Sequence, residues 1–232
     1  MKKLTPVILV ILSFLNCGTL NAQEFFDTSR PSNLFNLSVR VGFNTSNRTF
    51  PSGAYNAWNH NSWGLGFNMG VVADINIKDY LSIQPGLFYE SRSGDFAYLT
   101  NYLDIANQTQ THYELGHLRA YYLTVPIMMV FKLNLSSKIK WLIDLGPYYQ
   151  LKLKETGNYD ISVLYRLPES TTYGEYKAEN KNYDVGLKIG SGLQFLRHYY
   201  IGVHYLAGFM DAWKLPAGGR NKSWEFTIGY EL

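Results

Sequence analysis

Between Trp63 and Ile77 every second residue is apolar. Trp63, Leu65, Phe67, Met69, Val71, Ala73, Ile75 and Ile77 fill one register, and Gly64, Gly66, Asn68, Gly70, Val72, Asp74 and Asn76 fill the other. A period of two sends alternate side chains to opposite faces of an extended strand, whereas a helix repeats its face every 3.6 residues. Seven further segments carry the same alternation. Their apolar registers run Phe35–Phe43, Leu81–Tyr89, Tyr121–Phe131, Trp141–Tyr149, Tyr183–Phe195, Tyr199–Phe209 and Trp224–Leu232. Eight segments of about 9 to 13 residues have the length of tilted strands that cross a bilayer.

The connections alternate in length. Those at 44–62, 90–120, 150–182 and 210–223 are long and rich in Asn, Gly, Ser, Thr and Tyr, while Lys78–Tyr80, Asn134–Lys138 and Arg197–His198 read as tight turns. Outer-membrane barrels of up-and-down topology have short periplasmic turns and longer outer loops, so an even strand number puts both termini in the periplasm. Pro85, Pro126 and Pro147 fall inside strands, where a missing N–H costs a ladder bond; they read as bulges or local bends.

Volume decides which face is outside. An eight-stranded barrel is only wide enough for its side chains to fill it, so a bulky residue from every strand cannot point inward. The apolar register holds Trp, Phe, Tyr, Leu and Ile in all eight segments. The opposite register holds Gly42, Gly64, Gly66, Gly70, Gly86, Gly146, Gly186, Gly190, Gly192, Gly202, Gly208 and Gly229. Small and polar therefore belongs inside, and the bulky face must meet lipid. The outward residue nearest each long connection is aromatic in every case: Phe43, Trp63, Tyr89, Tyr121, Tyr149, Tyr183, Phe209 and Trp224. Rings with an apolar body and a polar edge collect at a membrane–water interface, so these eight form an outer aromatic girdle. At the short-turn side Phe35, Phe131, Trp141, Phe195, Tyr199 and Tyr230 form a patchier one.

The start of the chain is consistent with export. Lys2 and Lys3 precede an apolar run from Val7 to Leu15, and Ala22 stands before Gln23 in a cleavage-site pattern, so residues 1–22 read as a signal peptide. Cys17 follows Asn16 rather than the small residue that lipid attachment prefers. Residues 23–33 then form a short N-terminal segment, and 34–232 the barrel. Aromatic residues make up 16% of the chain beside 17% charged residues, and the mean hydropathy is −0.17. That balance excludes a bundle of spanning helices and suits strands whose two faces average out. No basic run points to nucleic acid.

Several motifs resemble the PorT-like outer-membrane β-barrel proteins of Bacteroidetes. They are Leu81-Ser82-Ile83-Gln84-Pro85-Gly86-Leu87, Leu123-Thr124-Val125-Pro126-Ile127, Leu145-Gly146-Pro147-Tyr148, Val185-Gly186-Leu187 with Gly190-Ser191-Gly192-Leu193, and the ending Ile228-Gly229-Tyr230. The resemblance covers the mature chain in order. It implies an integral outer-membrane barrel, and one member of that family is tied to type IX secretion and gliding.

Among ionisable residues, Arg40, Asp74, Glu90, Lys132, Asp144, Lys152, Asp184, Lys188, His204, Glu225 and Glu231 fall on the inward register. Arg40, Asp144, Lys188 and His204 lie near mid-depth, either as a plugging network or as the lining of a narrow pore. Acyl hydrolysis would need a Ser–His pair on the lipid face, yet Ser191 is outward and His204 inward. Asp95, Asp104, His112, His117, Asp160 and Asp211 lie in or beside loops without a spacing that pairs them for peptide cleavage, and His60, His112 and His117 lack the spacing of a metal site. The sequence therefore points to a non-enzymatic outer-membrane scaffold with no cofactor or metal. Its partners are outer-membrane lipid, the barrel-assembly machinery through the Trp224–Leu232 strand, and a protein or glycan at loops bearing Tyr55, Trp58, Tyr98, Tyr102, Tyr113, Tyr159, Tyr165, Tyr173, Tyr176 and Trp213. A narrow diffusion channel is the alternative.

Overall fold

The computed structural model describes residues 29–31, 33–49, 60–103, 109–157, 162–166, 173–177, 181–211 and 220–232; the expected leader and most of the segment after it lie outside this set. Among the described residues ten strands follow one another: β1 (Phe35–Thr49), β2 (His60–Lys78), β3 (Leu81–Leu103), β4 (Thr109–Ser136), β5 (Ile139–Gly157), β6 (Ser162–Arg166), β7 (Tyr173–Lys177), β8 (Tyr183–Phe195), β9 (Tyr199–Asp211) and β10 (Arg220–Glu231). Eight of them close an antiparallel barrel in the order β1-β10-β9-β8-β5-β4-β3-β2, and β6 and β7 pair as a separate two-stranded sheet. Closure runs from Ser38 opposite Glu231 to Thr49 opposite Arg220. It leaves the barrel wall no unpaired edge, which a strand in lipid could not tolerate.

The eight alternating segments all lie in barrel strands, but three details differ from the sequence reading. First, much of what read as loop is strand. β3 and β4 stay paired out to Leu103 opposite Thr109, because the ladder continues once the turn is made far from the barrel. From Tyr89 to Leu103 that is about 45 Å of strand at ~3.3 Å per residue. Second, the prolines are not bulges. Pro85 faces Ile127, Pro126 faces Tyr148 and Pro147 faces Leu187, and the register is unchanged on either side of each. Pairing lapses for two residues beside Pro85 and Pro126, and the ladder on either side of each gap holds the offset. Register shifts occur elsewhere instead, as between Tyr121 and Tyr122, or between Arg220 and Lys222. Third, the lumen is not only small and polar. Phe88, Tyr122, Tyr148 and Tyr200 point inward and are buried, with Val72, Met128, Val130, Leu142 and Leu206.

Inward glycines make room for those large groups. A Cβ on Gly192 would lie 2.5 Å from Cε2 of Tyr200 and one on Gly202 2.1 Å from its hydroxyl oxygen, and one on Gly190 would lie 2.1 Å from Cδ2 of His204. Large side chains on some strands are thus matched by bare backbone on their neighbours, which brings a narrow tube to interior packing density.

Outside, the pattern is reversed. Leu65 is 69% exposed and Ile228 59%, and large apolar side chains are exposed on every barrel strand. Water-soluble monomers rarely expose an apolar patch beyond a few hundred Å². A continuous apolar wall is stable only against hydrocarbon, so the fold itself selects the membrane as solvent. The β8–β9 turn places Leu196 and Arg197 at φ of 49° and 69°, the left-handed conformation that a tight hairpin requires and that glycine or asparagine adopts more readily.

Candidate functional site

Successive layers of polar side chains fill the barrel. Arg40, Asp144, Lys188 and His204 all turn inward and are buried. Only one direct bond joins any two of them: His204 Nε2 lies 3.2 Å from Asp144 Oδ2. The Tyr200 hydroxyl is 3.3 Å from the same His204 nitrogen, and the Arg40 guanidinium lies over the Tyr200 ring at 4.0 Å. Arg40 also donates to Gln84 Oε1 at 3.0 Å. This middle layer satisfies a cation largely through an amide and a ring face, which suits the delocalised charge of arginine.

Above it lies an ion cluster that the sequence reading only half assembled. Lys188 Nζ donates to Glu225 Oε2 at 2.6 Å. Arg92 binds Glu90 Oε2 through two nitrogens, at 2.7 and 3.2 Å, donates to Gln150 Oε1 at 3.3 Å, and lies 3.6 Å from Glu225 Oε1. Gln150 in turn donates to Glu90 Oε2 and to Thr124 Oγ1. Arg92 was missed because it follows Glu90, where the sequence reading ended the third strand; its even-numbered register, continued by two residues, would have found it. Charges removed from water must be paired and hydrogen-bonded, and this cluster pairs two cations with two carboxylates.

The third layer, toward the short turns, binds Lys132 to Asp74 and to Asn76 Oδ1, the latter at 2.6 Å. Beyond the ion cluster, toward the long connections, Glu155 takes bonds from Lys152 at 2.9 Å and Arg48 at 3.4 Å. Burial pushes the Lys152 ammonium below its ordinary pKa, and the hydrogen bond to Glu155 opposes that shift. Asp184 accepts from Asn221 Nδ2 and from the Met210 amide, both at 3.2 Å. The enclosed spaces among these groups are small. One beside Arg40, Phe88 and His204 has a volume of about 10 Å³, as does one beside Arg48, Tyr122 and Asp184. A single water needs about 10–15 Å³.

The eight expected girdle residues lie on the outward faces, yet most do not end their strands. Phe43 stacks on Phe226 with ring centroids 5.0 Å apart, Tyr89 on Tyr121 at 6.1 Å and Tyr149 on Tyr183 at 6.4 Å; Trp224 meets Tyr205 at 4.8 Å. Phe67, 6.0 Å from Tyr89, fills the row next to Phe43, while Trp63 sits further along β2 with Lys222 Nζ 5.4 Å from its ring centre. Phe209 is half exposed on β9.

Outward Ser191 accepts a hydrogen bond from Trp141 Nε1 at 2.7 Å, on the opposite face of the sheet from His204. The side chains of His60, His112, His117, Asp95, Asp104 and Asp160 lie outside the described residues, as do those of the expected loop aromatics Tyr55, Trp58, Tyr98, Tyr102, Tyr113, Tyr159, Tyr165, Tyr173, Tyr176 and Trp213. Asp211 forms an exposed pair with Arg220 at 3.5 Å. Among the described residues no group of three or more His, Cys, Asp or Glu is placed to hold a metal. No helix among them is long and apolar enough to cross a membrane.

A closed barrel with lipid-compatible walls and a charged, packed interior defines an integral outer-membrane β-barrel protein. The chain belongs to the outer membrane protein β-barrel domain family, whose model matches residues 21–213. No curated protein sequence matches the chain. Among solved structures it is similar to the attachment invasion locus protein Ail of Yersinia pestis, crystallised with the heparin analogue sucrose octasulfate (14% identity, 86% of this chain and 100% of that one, TM-score 0.40). It is also similar to Neisserial surface protein A (12%, 84% and 96%, 0.41) and to OprG of Pseudomonas aeruginosa (10%, 85% and 95%, 0.40). Likenesses this distant do not speak to what this barrel binds.

Proposed function

We propose that this protein is a non-conducting outer-membrane anchor whose projecting strands present a binding surface to a protein or glycan partner. The observation that carries this reading is the filled lumen. Ion pairs and inward rings occupy successive layers, and the enclosed spaces between them hold about one water each. A passive channel needs a continuous wet path, and an interior packed in this way supports the anchor reading over a channel.

The long β3–β4 pair, which carries chain far beyond the row of stacked aromatics, is the natural place for a partner to dock. In this reading both termini lie on the periplasmic side, with the three short turns, and the long connections face outward. Strand β10 is the segment read by the barrel-assembly machinery. The motif resemblance to PorT-like proteins supports a place beside a secretion apparatus, in which the barrel is one membrane component among several.

Two measurements test this. Purified protein in a planar bilayer is expected to give no single-channel steps; reproducible steps would establish the channel reading instead. Tagged protein extracted from native outer membranes is expected to bring down a stoichiometric partner, and replacing residues 95–117 by a short turn is expected to release it. A partner retained after that replacement would move the binding surface elsewhere.

A further inference from the structure

The mouth on the short-turn side is a cavity of about 830 Å³, at the upper end of the range for ligand pockets, and the Lys132–Asp74 layer closes its floor. The side-chain carboxylates that line it already have partners. Asp79 takes Lys140 Nζ at 3.1 Å, and Glu231 Oε2 takes Gln194 Nε2 at 2.7 Å. Three lining cations, Arg30, Lys138 and Arg197, are exposed and bridge to no carboxylate among the described residues.

Two of these cations stand side by side. The Leu196 amide donates to the Lys138 carbonyl at 2.9 Å, which ties the β4–β5 turn to the β8–β9 turn and sets Lys138 beside Arg197. Arg30 precedes β1, which lies four strands away from β5 in the ring of eight. A spacing of ~4.8 Å between strands tilted about 40° makes the mouth roughly 16 Å across, or about five residues of extended chain. The amides of Asn33, Asn36 and Asn134 line the same space. They can donate and accept, as a peptide backbone requires, whereas a lipid phosphodiester offers acceptors alone.

From this arrangement we infer that the short-turn mouth is a binding site for an extended acidic peptide, with Lys138 and Arg197 taking its carboxylates and the asparagines its backbone. The site is independent of the proposed anchor role, and it is read in detergent rather than in a conducting bilayer. The occupant is an extended acidic segment of a partner protein, matched to the mouth by charge; the residues that precede Ser29, among which the sequence places Glu24 and Asp27, are the competing source that the test separates.

The probe is a fluorescein-labelled peptide with the sequence of residues 24–29, EFFDTS, followed by anisotropy. It is titrated into the mature chain and into its Glu24→Gln, Asp27→Asn variant. Saturable binding to the variant is expected, weakened at least tenfold when Lys138→Glu and Arg197→Glu are added, and weakened similarly for the neutral peptide QFFNTS. The unaltered chain is expected to bind the probe as well as the variant does, because the site is open to a partner; tenfold weaker binding would give the site to the chain's own segment and overturn the partner assignment. The inference fails if neither chain binds, if the charge reversals leave affinity unchanged, or if QFFNTS binds equally. Circular dichroism confirms that each variant keeps its β-signal, since both reversed positions are exposed turn residues.

Discussion

Replacing Arg92 by methionine isolates the energetics of the lumen. The guanidinium makes four contacts within 3.6 Å: two to Glu90, one to Gln150 and one to Glu225. Glu90 has no exposure to solvent. Without Arg92, Glu90 Oε2 keeps only the 3.2 Å bond from the Gln150 amide, while Glu225 keeps Lys188 at 2.6 Å. One carboxylate is then buried without its principal counter-charge. Breaking a buried pair in this way costs about 3–5 kcal/mol, whereas replacing both partners by neutral groups of similar shape is often nearly neutral. Arg92→Met is therefore expected to lower the stability of the folded barrel by about 4 kcal/mol, roughly a thousandfold in its folding equilibrium. The double variant Glu90→Gln, Arg92→Met is expected to recover more than half of that loss. The assay is reversible urea unfolding in lipid vesicles, followed by tryptophan fluorescence and by the heat-dependent shift in gel mobility. A loss below about 1 kcal/mol for Arg92→Met, or a double variant as unstable as the sum of the singles, would refute the reasoning, because Glu90 would then have another source of compensation.

Other consequences use the same unfolding assay. Gly190→Val is expected to cost about 1–3 kcal/mol by overpacking, since its Cβ would meet the His204 ring and Asp144, while Gly94→Ala, whose Cβ has no neighbour nearer than 3.7 Å, is expected to be tolerated within about 0.5 kcal/mol. Ile189→Arg, on the outer face of β8, is expected to cost about 2–4 kcal/mol in lipid; an unchanged stability there would place that face away from hydrocarbon. Leu196→Asn with Arg197→Gly is expected to stabilise the β8–β9 turn by about 1 kcal/mol, because both positions have left-handed φ. Deleting Tyr230–Leu232 removes the amides of Glu231 and Leu232, which donate to His198 O and Leu37 O where β10 closes the barrel; fractionation is expected to find the truncated chain absent from the outer membrane.

How far the sequence could be read depended on what alternation encodes. Parity tells which face a residue occupies, so the inward set from Arg40 to Glu225 was legible without coordinates, as was the outward set from Phe43 to Trp224. Parity does not tell where a strand ends. The region after Glu90 carries Asn, Gly, Ser and Tyr, a loop-like composition, yet Leu103 and Thr109 are still paired. An antiparallel ladder, once in register, continues through such residues. The same limit hid Arg92, although its parity was correct. The prolines misled only as to bulges: a missing donor interrupts the pairing beside Pro85 and Pro126, but the offset is held by neighbours on both sides, and Pro85 and Pro147 point their rings outward.

Partner choice inside the tube was the least legible part, because parity fixes face and leaves azimuth and depth to the tilt of the strands. Asp144, Gly190 and His204 face one another across β5, β8 and β9, and this register makes the one direct contact among the four mid-depth residues first singled out. Lys188 sits two residues from Gly190 on the same strand, yet its ammonium goes to Glu225, two strands away. In a tube this narrow, long side chains reach across rather than along the wall. Glycines decide which reach is open: Gly190 admits the imidazole, and Gly192 and Gly202 admit the Tyr200 ring on which Arg40 rests. The inward glycines that first indicated a lipid-facing exterior are thus also what lets large side chains fill the lumen, and the proposed anchor role rests on that filling.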